Sequence, residues 1–133
     1  QGDHKHATAL WAPSIKALFP GDTVHNEVFL WFAETDPAAI VAWGRALDKM
    51  MALKPDLVVS GHAKPGKGND GTALAFTRRY IDEWPKLVAA SKDSKDLQAR
   101  VRKAFPESVD VLGGFLLVNS TEVAMGEQKI WDE

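Results

Sequence analysis

The 133-residue chain contains no cysteine, which excludes disulfide bonds and thiolate metal ligands. It also lacks a surplus of charge: 16 basic and 18 acidic residues give a formal net charge of −2, which argues against an electrostatic nucleic-acid binder. No apolar run is long enough to span a bilayer, and the opening "QGDHKHATAL" does not have the pattern of a signal peptide. We therefore expect a soluble protein, with the cytoplasm and the periplasm both open as compartments.

What the chain does contain is enough apolar sequence for one core, since 45% of its residues are hydrophobic and 26% are charged.

Two short sequence words stand out. Each consists of an apolar run, a glycine and a metal-competent side chain: "FPGD" ends at Asp22 and "VVSGH" ends at His62. A strand that stops at a glycine holds the following side chain on a rigid base, which suits a metal ligand.

Hydrophobic periodicity places both words in an alternating order of strands and helices. "TALWAP" and "IKALFP" predict two short strands, the second ending at Gly21-Asp22, and residues 23–34 predict an aromatic-rich loop. A helix is predicted over residues 36–53, capped by Asp36, and a buried strand over residues 57–59. Further helices are predicted over residues 72–87, over 91–105 with Ser94 as the cap, and within 108–126. This order indicates the α/β class.

The Gly-Asp word, the amphipathic helix and "LKPDLVVSGHAKPG" together resemble the C-terminal half of a metallo-β-lactamase-fold hydrolase, in an uncharacterised branch. The resemblance covers residues 2–66. It implies one sheet layer with flanking helices, which is half of an αββα sandwich. Residues 1–68 would be the C-terminal part of that domain, and residues 69–133 a helical extension packing on the same domain.

The resemblance also implies a set of metal ligands for one or two zinc ions. Asp22 matches an aspartate that bridges two metals, and His62 matches a histidine that holds the second metal. Asp3 falls where such enzymes usually have a histidine, and His4 stands beside it, so either of the two would complete the first metal's ligands. The His-x-His-x-Asp-His word of the N-terminal half is absent from this sequence. In the family it supplies most ligands of the first metal and the residue that orients the attacking water.

The function implied by the resemblance is metal-assisted hydrolysis of a small-molecule substrate, with lactam, thioester, lactone and phosphoester all open. Because the chain is short for such an enzyme and lacks an initiator methionine, we expect a mature or truncated portion that is inactive alone. Its partner would be the missing N-terminal segment or a second copy, because half a sandwich leaves an apolar sheet face open. The alternative is a non-catalytic binding module that uses the aromatic loop around Phe29, Trp31 and Phe32.

Each candidate residue also has a structural interpretation. Asp22 could cap a turn, and His62 could donate to a backbone carbonyl. His4 and His6 alternate along a segment expected to be extended, where they would form a zinc pair or be solvated. His25 is predicted as a surface loop residue. Further expectations are burial of Trp31 and Trp43 in the core, and a solvated loop or a contact to an anionic substrate for Lys64, Lys67 and Asp70.

Overall fold

The computed structural model describes residues 1–131. Over these residues the protein is an α/β fold with a three-stranded mixed sheet and four α-helices. The strands are β1 (Leu10–Ala12), β2 (Ala17–Asn26) and β3 (Leu57–Ala63), and the helices are α1 (Pro37–Ala52), α2 (Thr72–Ala89), α3 (Ser94–Ala104) and α4 (Phe115–Ala124).

The sheet has the order β1-β2-β3, with β1 antiparallel and β3 parallel to the central strand β2. The prediction that β2 ends at Gly21-Asp22 is wrong, since the strand continues to Asn26. It continues because its pairing with β3 resumes after two irregularities, so that His25 lies opposite His62. Gly21, with φ of +55°, accommodates this irregular stretch.

The predicted helix over residues 36–53 is confirmed as α1. Asp36 caps it through a 2.7 Å hydrogen bond that its side chain accepts from the Ala39 amide. Proline at the first helical position has no amide to leave unsatisfied. Helix α1 buries Trp43 completely, and the indole donates to the Thr23 carbonyl at 2.9 Å, so the predicted core role of Trp43 is confirmed.

The helices that follow differ from their predictions mainly at their ends. Helix α2 runs through Pro85 as predicted. Asp93, and not Ser94, caps α3, because the Asp93 side chain accepts from the Asp96 amide at 2.7 Å. The Ser94 hydroxyl instead donates to Glu127 at 2.7 Å. Helix α4 begins only after Gly114, whose φ is +86°.

One hydrophobic core joins the sheet to the helices that follow it. It contains Leu18 and Val58 from the strands together with Tyr80, Trp84 and Leu117 from the helices. On the other side of the sheet Leu10 and Phe19 are paired across β1 and β2 and stay exposed. Within residues 1–131, none of the helices has both the length and the apolar character needed to cross a bilayer.

Candidate functional site

Asp22, in the middle of β2, and His62, near the carboxyl end of the parallel strand β3, have their side chains next to each other. The Nε2 atom of His62 is 3.5 Å from Oδ2 of Asp22. This separation exceeds an ordinary charge-assisted hydrogen bond of about 2.8 Å, and each side chain is partly exposed. The two sequence words therefore place one carboxylate and one imidazole together at the solvent boundary.

Gly61 makes this close approach possible, because β3 passes directly over the Gly21-Asp22 backbone. A Cβ built on Gly61 would lie 2.7 Å from the Gly21 carbonyl carbon and 2.8 Å from the Asp22 nitrogen. The same Cβ would overlap the Asp22 carboxylate. Any side chain at position 61 would thus push the two strands apart and displace Asp22 from His62.

Asp3 and His4 lie near Asp22. The three residues line one cavity of about 360 Å³ together with Pro20 and Gly21. Burial is the largest cause that raises the pKa of Asp3; His4 lowers this pKa and Asp22 raises it. The predicted ligands therefore gather in one region, although the 3.5 Å contact joins only Asp22 and His62.

Residues 1–131 contain no group of three or more histidine, aspartate or glutamate side chains arranged to hold a metal ion. Protein zinc sites use three or four protein ligands. The described residues therefore offer a pair of adjacent donors and not a full coordination shell.

His25 is the residue of this region that sequence reasoning missed. Its prediction as a surface loop residue is wrong, because it lies in β2 and is completely buried. Its ring centre is 5.3 Å from that of His62, and neither of its ring nitrogens has a hydrogen-bond partner among the described residues. Burial, as the largest cause, and the neighbouring His62 together lower the pKa of His25 to about 3. The apolar Val24 beside it was the available signal that the strand continued.

The backbone of His25 is held by helix α2. The His25 amide donates to the Thr77 hydroxyl at 3.0 Å, and the same hydroxyl donates to the His25 carbonyl at 2.8 Å. Thr77 is itself completely buried. The backbone that carries the buried imidazole is consequently held by a helix residue 52 positions away in the sequence.

His4 and His6 do not form the extended pair that their alternation suggested. The chain turns at residues 3–6, and the His6 amide donates to the Nδ1 atom of His4 at 3.2 Å. Their ring centres are 6.4 Å apart with an edge-to-face orientation. A side-chain hydrogen bond to the backbone replaces strand geometry here.

The two lysines after the Gly-His word are paired with an acidic residue. Lys67 contacts Glu27 at 2.8 Å and Lys64 contacts it at 3.4 Å. The lysines lower the pKa of the Glu27 carboxyl, with the Lys67 hydrogen bond as the largest cause. Asp70 instead caps the start of α2 by accepting from the Thr72 amide at 2.9 Å.

The aromatic segment after β2 is buried. Phe29 and Phe32 are 2% exposed and Trp31 is 8% exposed, so these three side chains do not form a binding surface. Phe29 and Phe32 pack in the core with residues of α1, α2 and α4, and Trp31 packs in a second cluster with Leu116 of α4. The Phe32 amide also donates to Ser120 of α4 at 2.8 Å.

Comparison with known proteins adds no family to this geometry. No protein-family model matches the chain, and no curated protein matches it.

Proposed function

We propose that this chain is the C-terminal, metal-binding portion of a metal-dependent hydrolase with a metallo-β-lactamase-like half-sandwich. In this proposal Asp22 and His62 are two ligands of a zinc ion. Asp3 and His4 line the adjacent cavity and belong to the same metal-binding region.

The observation that carries the proposal is the spacing of the two donor atoms. Zinc–nitrogen and zinc–oxygen bonds of about 2.0–2.2 Å at tetrahedral angles separate neighbouring ligand atoms by about 3.3–3.5 Å. The Nε2–Oδ2 distance of 3.5 Å lies within this range. The buried, unpartnered ring nitrogens of His25 next to His62 also fit a polar centre that the described residues leave incomplete.

The fit to zinc is partial, because two donors do not hold a catalytic ion. A zinc ion in such a site supplies a water of lowered pKa and a Lewis acid. The chain's own residues would hold the ion from one side, while the remaining ligands and the water-orienting aspartate would come from another protein segment. A segment that carries the His-x-His-x-Asp-His word, encoded in the same reading frame, would supply them.

Calorimetric zinc titration of the chain tests the ligand pair. We expect weak binding in the wild-type chain, abolished by His62→Ala and by Asp22→Ala, because each removes one of two donors. His6→Ala is the matched control, since His6 also lines the neighbouring cavity but is not one of the proposed ligands. Binding that survives His62→Ala, or that disappears with His6→Ala, would refute the assignment.

A further inference from the structure

A second cavity lies between three helices and shares no lining residue with the cavity beside Asp22. Its volume is about 470 Å³, within the range of about 300–1,000 Å³ that is typical of small-molecule sites. The start of α1, the last turns of α2 and the end of α4 each form one wall. The apolar side chains that these helices contribute include Ile40, Val41, Trp84, Val88, Val123 and Ala124.

The inner wall of this cavity consists of two buried aromatic rings. Phe32 and Trp84 stack with their ring centres 4.4 Å apart, and each residue is 2% exposed. The Phe32 amide is bonded to Ser120 of α4, so this wall belongs to the packed core. Such a wall gives a ligand a flat apolar surface that does not have to reorganise.

The chain that follows α4 forms another side of the cavity. Ile130 lines the cavity and stays partly open to solvent. Two hydrogen bonds hold this segment in place. The Trp131 amide donates to the Ala33 carbonyl at 2.9 Å, and Glu127 accepts from the Ser94 hydroxyl at 2.7 Å. The fold itself therefore forms the cavity on every side.

The polar groups of the lining limit the chemistry of a ligand. Among the described residues that line the cavity, the polar ones are Thr35 and Asp36, and none is basic. The Thr35 hydroxyl donates to the Phe32 carbonyl at 2.9 Å, so towards a ligand it is an acceptor. Asp36 accepts from the Ala39 amide through Oδ1, which leaves its second carboxylate oxygen for a donor. A ligand must therefore bring hydrogen-bond donors, and an anionic ligand would face the Asp36 charge.

We propose that this cavity binds a small lipophilic amine, with the apolar body against Phe32 and Trp84 and the ammonium group beside Asp36. The apolar lining accounts for the body of the ligand, and the single acidic residue accounts for its charge. This binding site is separate from the pair of Asp22 and His62, and it does not rest on the proposed hydrolase function.

Titration of the whole chain with n-octylamine, n-octanol and octanoate, followed by amide NMR shifts, tests the ligand class. The three probes share an alkyl chain and differ in the charge of the headgroup. We expect octylamine to bind most tightly and octanoate most weakly. From butylamine to octylamine the affinity should rise roughly fourfold per methylene, because each buried CH₂ contributes about 0.8 kcal/mol. Octanoate that binds as tightly as octylamine overturns the proposal.

Two variants locate the site. Asp36→Asn keeps an oxygen to cap α1 and removes the charge, so it should weaken octylamine binding about 3- to 5-fold and leave octanol binding unchanged. Asp56→Asn is the matched control, since it removes the charge of an exposed carboxylate that does not line the cavity. Ala89→Trp adds a large ring to an exposed position of the lining and should weaken all binding at least 10-fold. Its control is Ala90→Trp, at an exposed position outside the lining.

The same variants define the results that contradict the proposal. Octylamine binding that survives Ala89→Trp, or that is equally weakened by Asp36→Asn and Asp56→Asn, overturns it. A chain that is a dimer as wild type and a monomer as Ala89→Trp would assign the cavity to a second copy of the chain, and this too overturns the proposal. The length dependence of amine binding is measured on the wild type and stands even if a variant fails to fold.

Discussion

The buried imidazole of His25 should make the stability of this protein fall as the pH is lowered. Burial lowers the pKa of His25 from its ordinary 6.5 to about 3 in the folded chain, so between these values the unfolded chain binds a proton that the folded chain does not. The stabilisation from the neutral ring is complete above pH 6.5 and is lost progressively towards pH 3. At about 1.4 kcal/mol per pH unit, the loss between pH 8 and pH 5 is about 2 kcal/mol.

Urea unfolding at pH 8, 6.5 and 5 in the presence of a chelator measures this loss. His25→Phe is the matched control because it removes the titrating group and keeps a ring in the core. The raised pKa of Asp3 acts in the opposite direction, since protonation of that carboxyl at low pH favours the folded chain. The difference in pH dependence between wild type and variant therefore isolates His25. Parallel free-energy curves for the two proteins would refute the reasoning.

Three further predictions concern the hydrophobic core, the close approach of β2 and β3 at Gly61, and the exposed face of the sheet. Trp43→Ala should lower the free energy of unfolding by about 3–5 kcal/mol in urea titrations, because the indole is fully buried. Gly61→Ala should lower the unfolding midpoint and weaken zinc binding, because the new methyl group overlaps Asp22. The chain should scatter light as a dimer at micromolar concentrations, and Phe19→Lys should return it to a monomer by charging the exposed sheet face.

Each of these variants has a control. Val41→Ala lies on the exposed side of the same helix as Trp43 and should change stability by less than about 0.5 kcal/mol. Gly71→Ala adds a methyl group into open space and should leave zinc binding unchanged. Leu53→Lys charges an exposed apolar residue outside the sheet and should leave the dimer intact. If the wild-type chain is a monomer, the prediction that it self-associates is wrong.

Local sequence signals predicted helix α1 well because its cap, first-turn proline and apolar spacing all act within one turn or one face. Asp36 and Trp43 were therefore assigned correctly. The cap of α3 was missed because two cap residues stand side by side, and the choice depends on Glu127, which binds Ser94 from 33 positions away. No local pattern contains that contact.

In the candidate site, too, the features set by local sequence were predicted and those set by distant contacts were not. The proximity of Asp22 and His62 followed from two glycine-terminated apolar runs, which the parallel pairing of β2 and β3 brings together. The burial of His25 did not follow, because a histidine after Gly-Asp has the local signature of a turn. Its burial depends on α2, whose Thr77 binds the His25 backbone, and that packing is invisible in the neighbouring residues.

The Thr77 contact has a consequence for how the site can open. Because the His25 amide is bonded to a fully buried hydroxyl of α2, fraying at the sheet edge cannot expose it to solvent. Its proton should exchange with deuterium only when α2 leaves the sheet, which disrupts the shared core and amounts to global unfolding. The β2 backbone at His25, beneath Asp22 and His62, would then belong to the slowest-exchanging part of the molecule. The amides of the N-terminal residues that line the neighbouring cavity should exchange faster, through local motions.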